Sequence, residues 1–202
     1  MIQNQPLYLL PLIFFLISCN EPKLPPLSQE ATIIAFGDSL TFGIGSKNGN
    51  TYPKYLTDSS GYKVINSGIS GETTSQGLKR FQAILDKHSP ELVILLEGGN
   101  DILRNQAANK IKQNLAEMIE IALQDHIAVI LIGVPEKKLF SDSASFYSEL
   151  AEQYNLVFSD NLLSDLLKTS KYKSDPIHLN SAGYEKLAEG IYQLMLDNGA
   201  LD

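Results

Sequence analysis

A serine stands where a predicted strand near the start of the chain ends, a position from which its hydroxyl could act as a nucleophile. Residues 31–36 form an apolar, β-branched run that is typical of a buried strand. Gly37-Asp38-Ser39-Leu40 then ends the strand, because glycine lets the backbone turn and because Asp and Ser favour helix N-caps. Backbone N–H groups at a helix N-terminus could stabilise an oxyanion. This stretch alone allows two roles for Ser39, nucleophile or simple helix cap.

Predicted strands and helices alternate along the rest of the chain. Further strands are predicted over Tyr62–Asn66, Glu91–Leu96, Ile127–Val134 and Leu156–Phe158. Helices are predicted over Thr51–Ser60, Thr74–Lys87, Ala107–Gln124, Ser143–Tyr154, Asn161–Leu167 and Ser181–Leu196. Strands that are apolar on both faces and alternate with helices indicate a parallel sheet covered on both sides. We therefore expect an α/β fold, a single three-layer αβα domain with about five parallel strands.

Polar residues with catalytic potential follow several of these strands. Gly71 follows the second strand, Asn100 follows the third, and Asp175 and His178 lie in the loop before the last helix. Because the carboxyl ends of parallel strands share one edge of the sheet, these residues should converge there with Ser39. This convergence favours a catalytic role for Ser39 over a capping role.

His178 is the histidine best placed to act as a general base. His88 ends a predicted helix, and His126 opens the fourth strand at the opposite edge of the sheet. Asp175 precedes His178 by three residues, a separation at which its carboxylate could accept from the imidazole and set its tautomer. These residues predict a nucleophile, a base and a group that orients the base.

Four blocks in the expected order resemble the GDSL, or SGNH, hydrolase family. They are Gly37-Asp38-Ser39-Leu40, Gly68-Ile69-Ser70-Gly71-Glu72-Thr73, Gly98-Gly99-Asn100-Asp101 and Asp175-Pro176-Ile177-His178. The resemblance runs from about Ala31 to about Leu196 and is nearest to the bacterial thioesterase I, arylesterase and lysophospholipase L1 type. It implies the flavodoxin-like fold of SGNH hydrolases. The chain departs from the pattern at Pro176, where Gly is commoner, and at Leu179, where Pro is common.

The resemblance and the spacing together predict a serine esterase. Ser39, His178 and Asp175 would form the catalytic triad, and the oxyanion hole would use the N–H groups of Ser39 and Gly71 with the side-chain amide of Asn100. Ser39 would form an acyl-enzyme that water then hydrolyses, without a metal or organic cofactor. Expected substrates are small acyl esters: aryl esters, lysophospholipids or acyl thioesters. The alternatives are an acetyl-esterase acting on envelope glycans and a catalytically inactive, lipid-anchored binding protein.

Two other enzyme or binding classes fit the motifs poorly. Gly43-Ile44-Gly45 follows the first strand, but the glycine spacing is not that of a dinucleotide-binding fingerprint. The Gly-x-Ser-x-Gly elbow of α/β-hydrolases does not occur. Four apolar residues are candidates for an acyl pocket or, equally, for core packing; they are Ile44, Leu139, Phe140 and Phe146.

Composition limits the partners of the chain. It has 202 residues, a formal net charge of -7 and no basic cluster, so we expect no nucleic-acid partner. Its single cysteine, Cys19, excludes an internal disulfide and a zinc site built from cysteines. The length suits one domain with a complete core, and we expect a monomer.

The N-terminus has the pattern of a bacterial lipoprotein signal. Residues 6–17 are an apolar run too short to span a bilayer comfortably, and Leu16-Ile17-Ser18-Cys19 resembles a lipobox. We therefore predict a signal peptide over residues 1–18, lipidation of Cys19, a proline-containing tether over 19–30 and the hydrolase domain over 31–202. The alternatives are an ordinary signal peptide with an incidental cysteine or an uncleaved anchor. The expected location is the periplasmic face of the cell envelope, with the outer membrane favoured over the inner because residue 20 is Asn rather than Asp.

Overall fold

A computed structural model describes residues 24–136 and 142–201, and a five-stranded parallel sheet lies at its centre. The strands are β1 (Thr32–Gly37), β2 (Lys63–Gly68), β3 (Leu92–Leu96), β4 (Ala128–Ile132) and β5 (Val157–Ser159). Their order in the sheet is β2-β1-β3-β4-β5, and every neighbouring pair is parallel. The predicted α/β fold with about five parallel strands is confirmed, and the strand order is that of flavodoxin-like folds.

Strand β1 lies inside the sheet and carries the chain to the site. Gly37, its last residue, pairs with Gly68 of β2 on one side and with Leu96 of β3 on the other. Strands β1 and β3 are almost wholly buried, which explains their apolar, β-branched sequences. Strand β2 is different, because as an edge strand it pairs only with β1 and leaves Lys63 exposed. The expectation that all strands are apolar on both faces is therefore wrong at β2.

Helices cover both faces of the sheet. They are α1 (Ser39–Phe42), α2 (Tyr52–Ser60), α3 (Thr74–His88), α4 (Gly99–Leu103), α5 (Ala108–Gln124), α6 (Ser145–Tyr154), α7 (Leu162–Lys168) and α8 (Ser181–Asp197), with a 3₁₀ turn at Ser170–Tyr172. Helices α3, α5 and α6 pack together on one face, and α2, α7 and α8 pack together on the other. The predicted helices lie within about two residues of these bounds. The sequence also predicted a helix start at Asp38-Ser39, but not the extent of α1, and it did not predict α4, because four or five residues show no helical periodicity.

Residues 24–30, predicted as part of a tether, lie instead against the domain. The N–H of Leu24 donates to the carbonyl of Asn198 at 2.9 Å, and that of Leu27 donates to the carbonyl of Ala200 at 3.0 Å. Both leucine side chains are buried in the core cluster. The tether prediction is therefore wrong for this stretch, because the two leucines bury apolar surface at the end of α8 that would otherwise face water. The folded unit includes Leu24 and does not begin at Ala31.

Several predictions fall on residues outside the described ranges. These are the signal peptide over residues 1–18, the lipidation site Cys19, and the acyl-pocket candidates Leu139 and Phe140. Within residues 24–136 and 142–201, no helix has the length and hydropathy to cross a bilayer.

Candidate active site

The carboxyl edge of the sheet carries the predicted catalytic residues. Ser39 opens α1 directly after β1, and Asn100 lies in α4 directly after β3. Asp175 and His178 lie in the loop between the 3₁₀ turn and α8. Segments more than a hundred residues apart in the chain thus meet at one edge, as the parallel sheet predicts.

The structure aligns Ser39, His178 and Asp175 in one hydrogen-bonded row. The Nε2 atom of His178 lies 3.0 Å from Oγ of Ser39, and its Nδ1 atom lies 2.8 Å from Oδ2 of Asp175. A proton on Nδ1 donates to the acceptor-only carboxylate, which leaves Nε2 free to accept from the serine hydroxyl. The arrangement therefore suits proton transfer from Ser39 to His178.

The loop around Asp175 holds its carboxylate in the ionised form. Oδ1 of Asp175 accepts from the N–H groups of Ile177 and His178, each at 2.9 Å. Partial burial acts to raise the pKa of Asp175, but these N–H donors and the His178 imidazole outweigh it and place the pKa below its ordinary value. Pro176 has no N–H, but no hydrogen bond to the carboxylate is lost, because the donors are the N–H groups of the two residues after it.

Asp38, rather than Ser39, caps helix α1. Its Oδ1 atom accepts from the N–H of Leu40 at 3.0 Å, which leaves the Ser39 hydroxyl to His178. Its Oδ2 atom accepts from the side-chain amide of Asn100 at 3.3 Å. Burial raises the pKa of Asp38 to about 6, although the N–H of Leu40 and the nearby His178 act in the opposite direction. The sequence indicated only that Asp38 favours a helix N-cap, whereas the structure gives its carboxylate two defined partners.

Asn100 presents a side-chain amide beside the Ser39 hydroxyl. An amide nitrogen carries two hydrogens, so the bond to Asp38 leaves one for a ligand. The preceding turn depends on glycine, because Gly98 has a φ of 115° and a Cβ on Gly99 would lie 2.9 Å from Oδ2 of Asp38. The Gly98-Gly99 pair therefore allows Asn100 to approach Asp38.

Gly71 lies at the same edge but on a separate loop between β2 and α3. The N–H of Ile69 donates to the carbonyl of Gly37 at 3.0 Å, which ties this loop to the end of β1. The carbonyl of Gly71 accepts from Nη2 of Arg104 at 3.0 Å, and its φ of 80° favours glycine. Gly71 is not among the residues that line the cavity beside Ser39.

Asp101 joins the site to the helical layer behind it. It is fully buried, and its two carboxylate oxygens accept from the N–H and the hydroxyl of Thr74, each at 2.8 Å. The side-chain amide of Asn114 donates to the same hydroxyl at 2.9 Å. Asp101 thus forms a hydrogen-bonded link from α4 to α3 and α5.

A cavity of about 530 Å³ opens beside Ser39, Asn100 and His178. Its remaining wall is mainly apolar, with Asp38, Glu136, Lys168 and Lys173 as its acidic and basic members. The apolar side chains are Leu40, Ile102, Leu103, Val134, Pro135, Leu167, Pro176 and Ile177. A volume in this range and a mainly apolar wall are typical of small-molecule sites.

Two of the predicted acyl-pocket residues, Ile44 and Phe146, lie within the described ranges, and neither lines this cavity. Phe146 is buried in the core, where its ring centroid lies 4.6 Å from that of Tyr147. Ile44 lies away from the cavity, and its carbonyl accepts from the Tyr184 hydroxyl at 2.7 Å. Most of the residues that do line the cavity follow strand ends or lie in α7. In the sequence, only a position directly after a strand could have marked a residue as part of the wall.

A buried carboxyl group that the sequence did not single out lies beneath the site. Glu97 follows β3 and is fully buried, and neither of its carboxylate oxygens has a hydrogen-bond partner among the described residues. Burial raises the pKa of Glu97 well above its ordinary value, and the neighbouring Asp38, Glu72 and Asp101 act in the same direction. Arg80 acts against them but is itself paired with Glu72. Glu97 is therefore held in its neutral form.

The described residues offer no evident metal centre. Within residues 24–136 and 142–201, no three His, Cys, Asp or Glu side chains are grouped so that they could hold a metal ion. Ser39, His178 and Asn100 at the carboxyl edge can supply a nucleophile, a base and a neutral hydrogen-bond donor.

Comparison with known proteins places this site in a family. The sequence profile of the GDSL-like lipase/acylhydrolase family matches residues 35–186. The chain therefore belongs to this family, as the four sequence blocks predicted.

Curated relatives of the chain carry names of ester hydrolases. It is 36% identical over 116 residues to the esterase TesA of Pseudomonas aeruginosa, a match that covers 54% of this chain and 58% of that protein. It is 30% identical to the arylesterase of Vibrio mimicus over 80% of this chain and 86% of that protein. It is 29% identical to the thioesterase 1/protease 1/lysophospholipase L1 of Escherichia coli K12 over 74% of this chain and 76% of that protein.

A solved structure shows the same fold. The psychrotrophic esterase EstA from Pseudoalteromonas superimposes with a TM-score of 0.75 at 22% identity, over 83% of this chain and 98% of that chain.

Proposed function

We propose that this protein is a carboxylic ester hydrolase that uses Ser39 as its nucleophile and forms an acyl-enzyme. The observation that carries the proposal is the row in which Nε2 of His178 lies 3.0 Å from Oγ of Ser39 and its Nδ1 lies 2.8 Å from Asp175. Membership of the GDSL-like lipase/acylhydrolase family supports the same reaction class.

In the proposed reaction, His178 takes the hydroxyl proton of Ser39 as Oγ attacks the acyl carbonyl. Asp175 stays ionised and stabilises the imidazolium that forms. His178 then protonates the leaving alcohol or thiol, and the acyl group remains on Ser39. A water molecule, deprotonated by His178, attacks this ester and releases the acid.

The oxyanion of each tetrahedral intermediate needs donors near Ser39. We assign the N–H groups of Ser39 and Gly71 and the side-chain amide of Asn100 to this role. The position of Ser39 at the start of α1 supports the first donor, and the hydrogen left on Asn100 by its bond to Asp38 supports the third. Each such donor is worth about 10²–10³ in kcat in serine hydrolases.

The cavity supports an acyl ester with an apolar group of moderate size. Its volume of about 530 Å³ and its apolar wall exceed the needs of an acetyl group, which favours medium or long acyl chains or an aryl group. Aryl esters, lysophospholipids and acyl thioesters all remain within this class. An acetyl-esterase acting on glycans is less well supported, because the greater part of the wall is apolar.

Hydrolysis of p-nitrophenyl esters from acetate to palmitate tests the proposal. The chain from Asn20 onward keeps every described residue and is compared with its Ser39→Ala variant. We expect rates that peak at medium or long chains and fall at least about 10³-fold in the variant. Activity on acetate alone would shift the assignment to an acetyl-esterase. Absence of Ser39-dependent activity at every chain length would contradict an esterase and favour a binding protein.

We further propose that the protein is lipid-anchored through Cys19 in the bacterial cell envelope, on the periplasmic face and in the outer membrane. The lipobox-like Leu16-Ile17-Ser18-Cys19 supports this. Leu24 lies beside Asn198 at the end of α8, and this is the edge of the sheet opposite to Ser39. An anchor close to Leu24 would therefore turn the active site away from the membrane that holds it.

Metabolic labelling with a radioactive fatty acid tests the anchor. The native chain should incorporate label and the Cys19→Ser chain should not. Equal labelling of both chains, or labelling of neither, would contradict lipidation at Cys19. A monomeric state stays a prediction, which sedimentation of the chain from Asn20 onward would measure.

A further inference from the structure

Large apolar side chains are exposed at two places in the described chain. Over a third of the surface of six such residues is open to solvent within residues 24–136 and 142–201; they are Phe42, Ile69, Leu103, Leu123, Ile177 and Leu196. Leu123 and Leu196 lie near the ends of α5 and α8, at the amino edge of the sheet. The other four lie at the carboxyl edge, and we call Phe42, Ile69, Leu103 and Ile177 the apolar rim.

The members of the apolar rim come from four separate segments. Phe42 ends α1, Ile69 follows β2, Leu103 ends α4 and Ile177 lies in the loop beside His178. Single exposed apolar residues are normal on a soluble protein, but a concentration of them at one edge marks an interaction site. The rim therefore needs a partner that meets all four segments together.

Backbone and side-chain contacts link these segments around the site. A Cβ on Gly68 would collide with the backbone N of Phe42, so Phe42 lies against the start of the Ile69 loop. The Gly71 carbonyl in that loop accepts from Arg104, the residue after Leu103. Leu103 and Ile177 both line the cavity that contains Ser39, so the rim reaches the cavity at these two residues.

The charges near the rim suit a phosphate-bearing surface. The chain as a whole carries a net charge of -7, so most of its surface repels anionic headgroups. Arg104 follows Leu103 directly, and Lys173 lies in the cavity wall with Ile177. A cation beside an exposed apolar side chain can reach a phosphate while the apolar group enters the acyl layer.

The position of the rim beside the cavity indicates which kind of partner binds it. A second copy or a protein partner seated on the rim would cover the cavity beside Ser39 and exclude substrate. A lipid surface would bury the same side chains and would also supply acyl esters at the mouth of the cavity. We therefore take a lipid surface as the occupant, because it can bury the rim and present an acyl ester to the cavity at the same time.

We propose that the apolar rim seats the protein on phospholipid aggregates other than the membrane that holds its anchor, so that an acyl chain passes directly into the cavity beside Ser39. This inference rests on the proposed esterase function and specifies how the substrate is presented. Two consequences follow. The protein binds lipid vesicles through this edge even without Cys19, and it hydrolyses an aggregated ester faster than the same ester as a monomer.

Vesicle binding tests the proposal with a matched pair of variants. The chain from Asn20 onward, which lacks Cys19, is sedimented with vesicles of phosphatidylcholine and phosphatidylglycerol. The rim variant carries Phe42→Ser and Ile69→Ser, because neither residue lines the cavity. The control carries Leu123→Ser and Leu196→Ser, which remove similar apolar area at the opposite edge. We expect the partition coefficient to fall about tenfold or more in the rim variant and less than about twofold in the control.

Kinetics separate this proposal from the esterase assignment. The rim variant should keep the wild-type rate on soluble p-nitrophenyl butyrate and lose about tenfold on a micellar long-chain ester. Absence of vesicle binding by the wild-type chain, or equal binding by the rim and control variants, would overturn the rim proposal alone. Absence of Ser39-dependent hydrolysis of the soluble ester would overturn the esterase assignment itself. A dimer that the rim variant abolishes would assign the rim to self-association and also overturn the lipid surface.

Discussion

Asp38 and Ser39 divide two tasks between neighbouring side chains. Asp38 caps α1 and holds the Asn100 amide, and Ser39 is left to hydrogen-bond with His178. If Ser39 were the cap, its hydroxyl would be committed to a backbone N–H and would be a poorer partner for the imidazole. The order Gly-Asp-Ser after β1 thus serves both the helix and the nucleophile.

Replacement of Asn100 by alanine tests the proposed oxyanion donor. We expect kcat for a short ester to fall about 10²–10³-fold with a smaller change in KM, because the donor acts mainly on the charge of the transition state. Steady-state kinetics measure both constants. Asn109→Ala, a change at an exposed position of α5, is the control and should leave them unaltered. An unchanged kcat in Asn100→Ala would remove this residue from the oxyanion hole.

The decrease of kcat/KM at acid pH should depend on protonation of Asp38. Its pKa is raised to about 6, so it becomes protonated below about that pH and loses the charge that holds the Leu40 N–H and the Asn100 amide. We therefore expect log kcat/KM of the wild type to fall more steeply below about pH 6 than that of Asp38→Asn, which has no carboxylate to protonate at this position. Equal slopes would show that Asp38 does not couple to catalysis.

Among the secondary-structure elements, the turn between β3 and α4 combines a proposed catalytic role with a structural one. It carries Asn100 towards Ser39 and sends Asp101 to the start of α3, where Thr74 donates two hydrogen bonds. Glu97 enters the same turn as a buried carboxyl without a partner among the described residues. A buried charge there would be costly, so the neutral acid is the form compatible with the fold.

The free energy of unfolding should reveal the neutral state of Glu97. Its folded pKa lies well above the ordinary value of 4.5, so between that value and its raised pKa the folded state holds a proton that the unfolded state has lost. Stability therefore falls as pH rises through this window, by about 1.4 kcal/mol per pH unit. Glu97→Gln cannot ionise and lacks this slope.

Denaturant unfolding at several pH values between about 5 and 8 tests this expectation. The stability of Glu97→Gln relative to wild type should increase steadily with pH. Glu117→Gln, at an exposed position of α5, should show no such trend. A pH-independent difference between Glu97→Gln and wild type would contradict a neutral, buried Glu97.

For the folded chain as a unit, the N-terminal segment 24–30 and the end of α8 close the amino edge of the sheet. Leu24 and Leu27 are buried there, and their N–H groups bond to the carbonyls of Asn198 and Ala200. The proposed catalytic groups lie at the other edge. This contribution to stability therefore comes from the edge of the sheet opposite to the proposed active site.

Removal of residues before Ala31 should lower stability while leaving chemistry intact. Loss of two buried leucines and their hydrogen bonds is expected to cost about 3 kcal/mol, or a fall in Tm of about 6–12 °C. Thermal unfolding of chains beginning at Leu24 and at Ala31 measures the difference. Their kcat on a soluble ester below both transitions should agree within about twofold. An identical Tm would show that the segment does not stabilise the domain.

Local patterns were sufficient to predict the strand and helix order and the meeting of Ser39, Asn100, Asp175 and His178. The reason is that parallel strands point the same way, so any residue just after a strand lies at one edge regardless of its distance in sequence. Buried strands such as β1 and β3 can also be recognised in the sequence, because both of their faces must be apolar. The family assignment followed from the same residues, since four blocks in order are specific.

Contacts between distant segments could not be read from those patterns. The bond from Asp38 to Asn100, the burial of Glu97 and the docking of Leu24 on α8 each depend on which segments become neighbours after folding. Helices α1 and α4 are too short for periodicity to show, and β2 is exposed only because it lies at the sheet edge. Hydrophobic periodicity shows which face of an element is buried, but it does not show which other element covers that face. The cavity wall and the apolar rim depend on how the elements cover one another, so periodicity could not predict them.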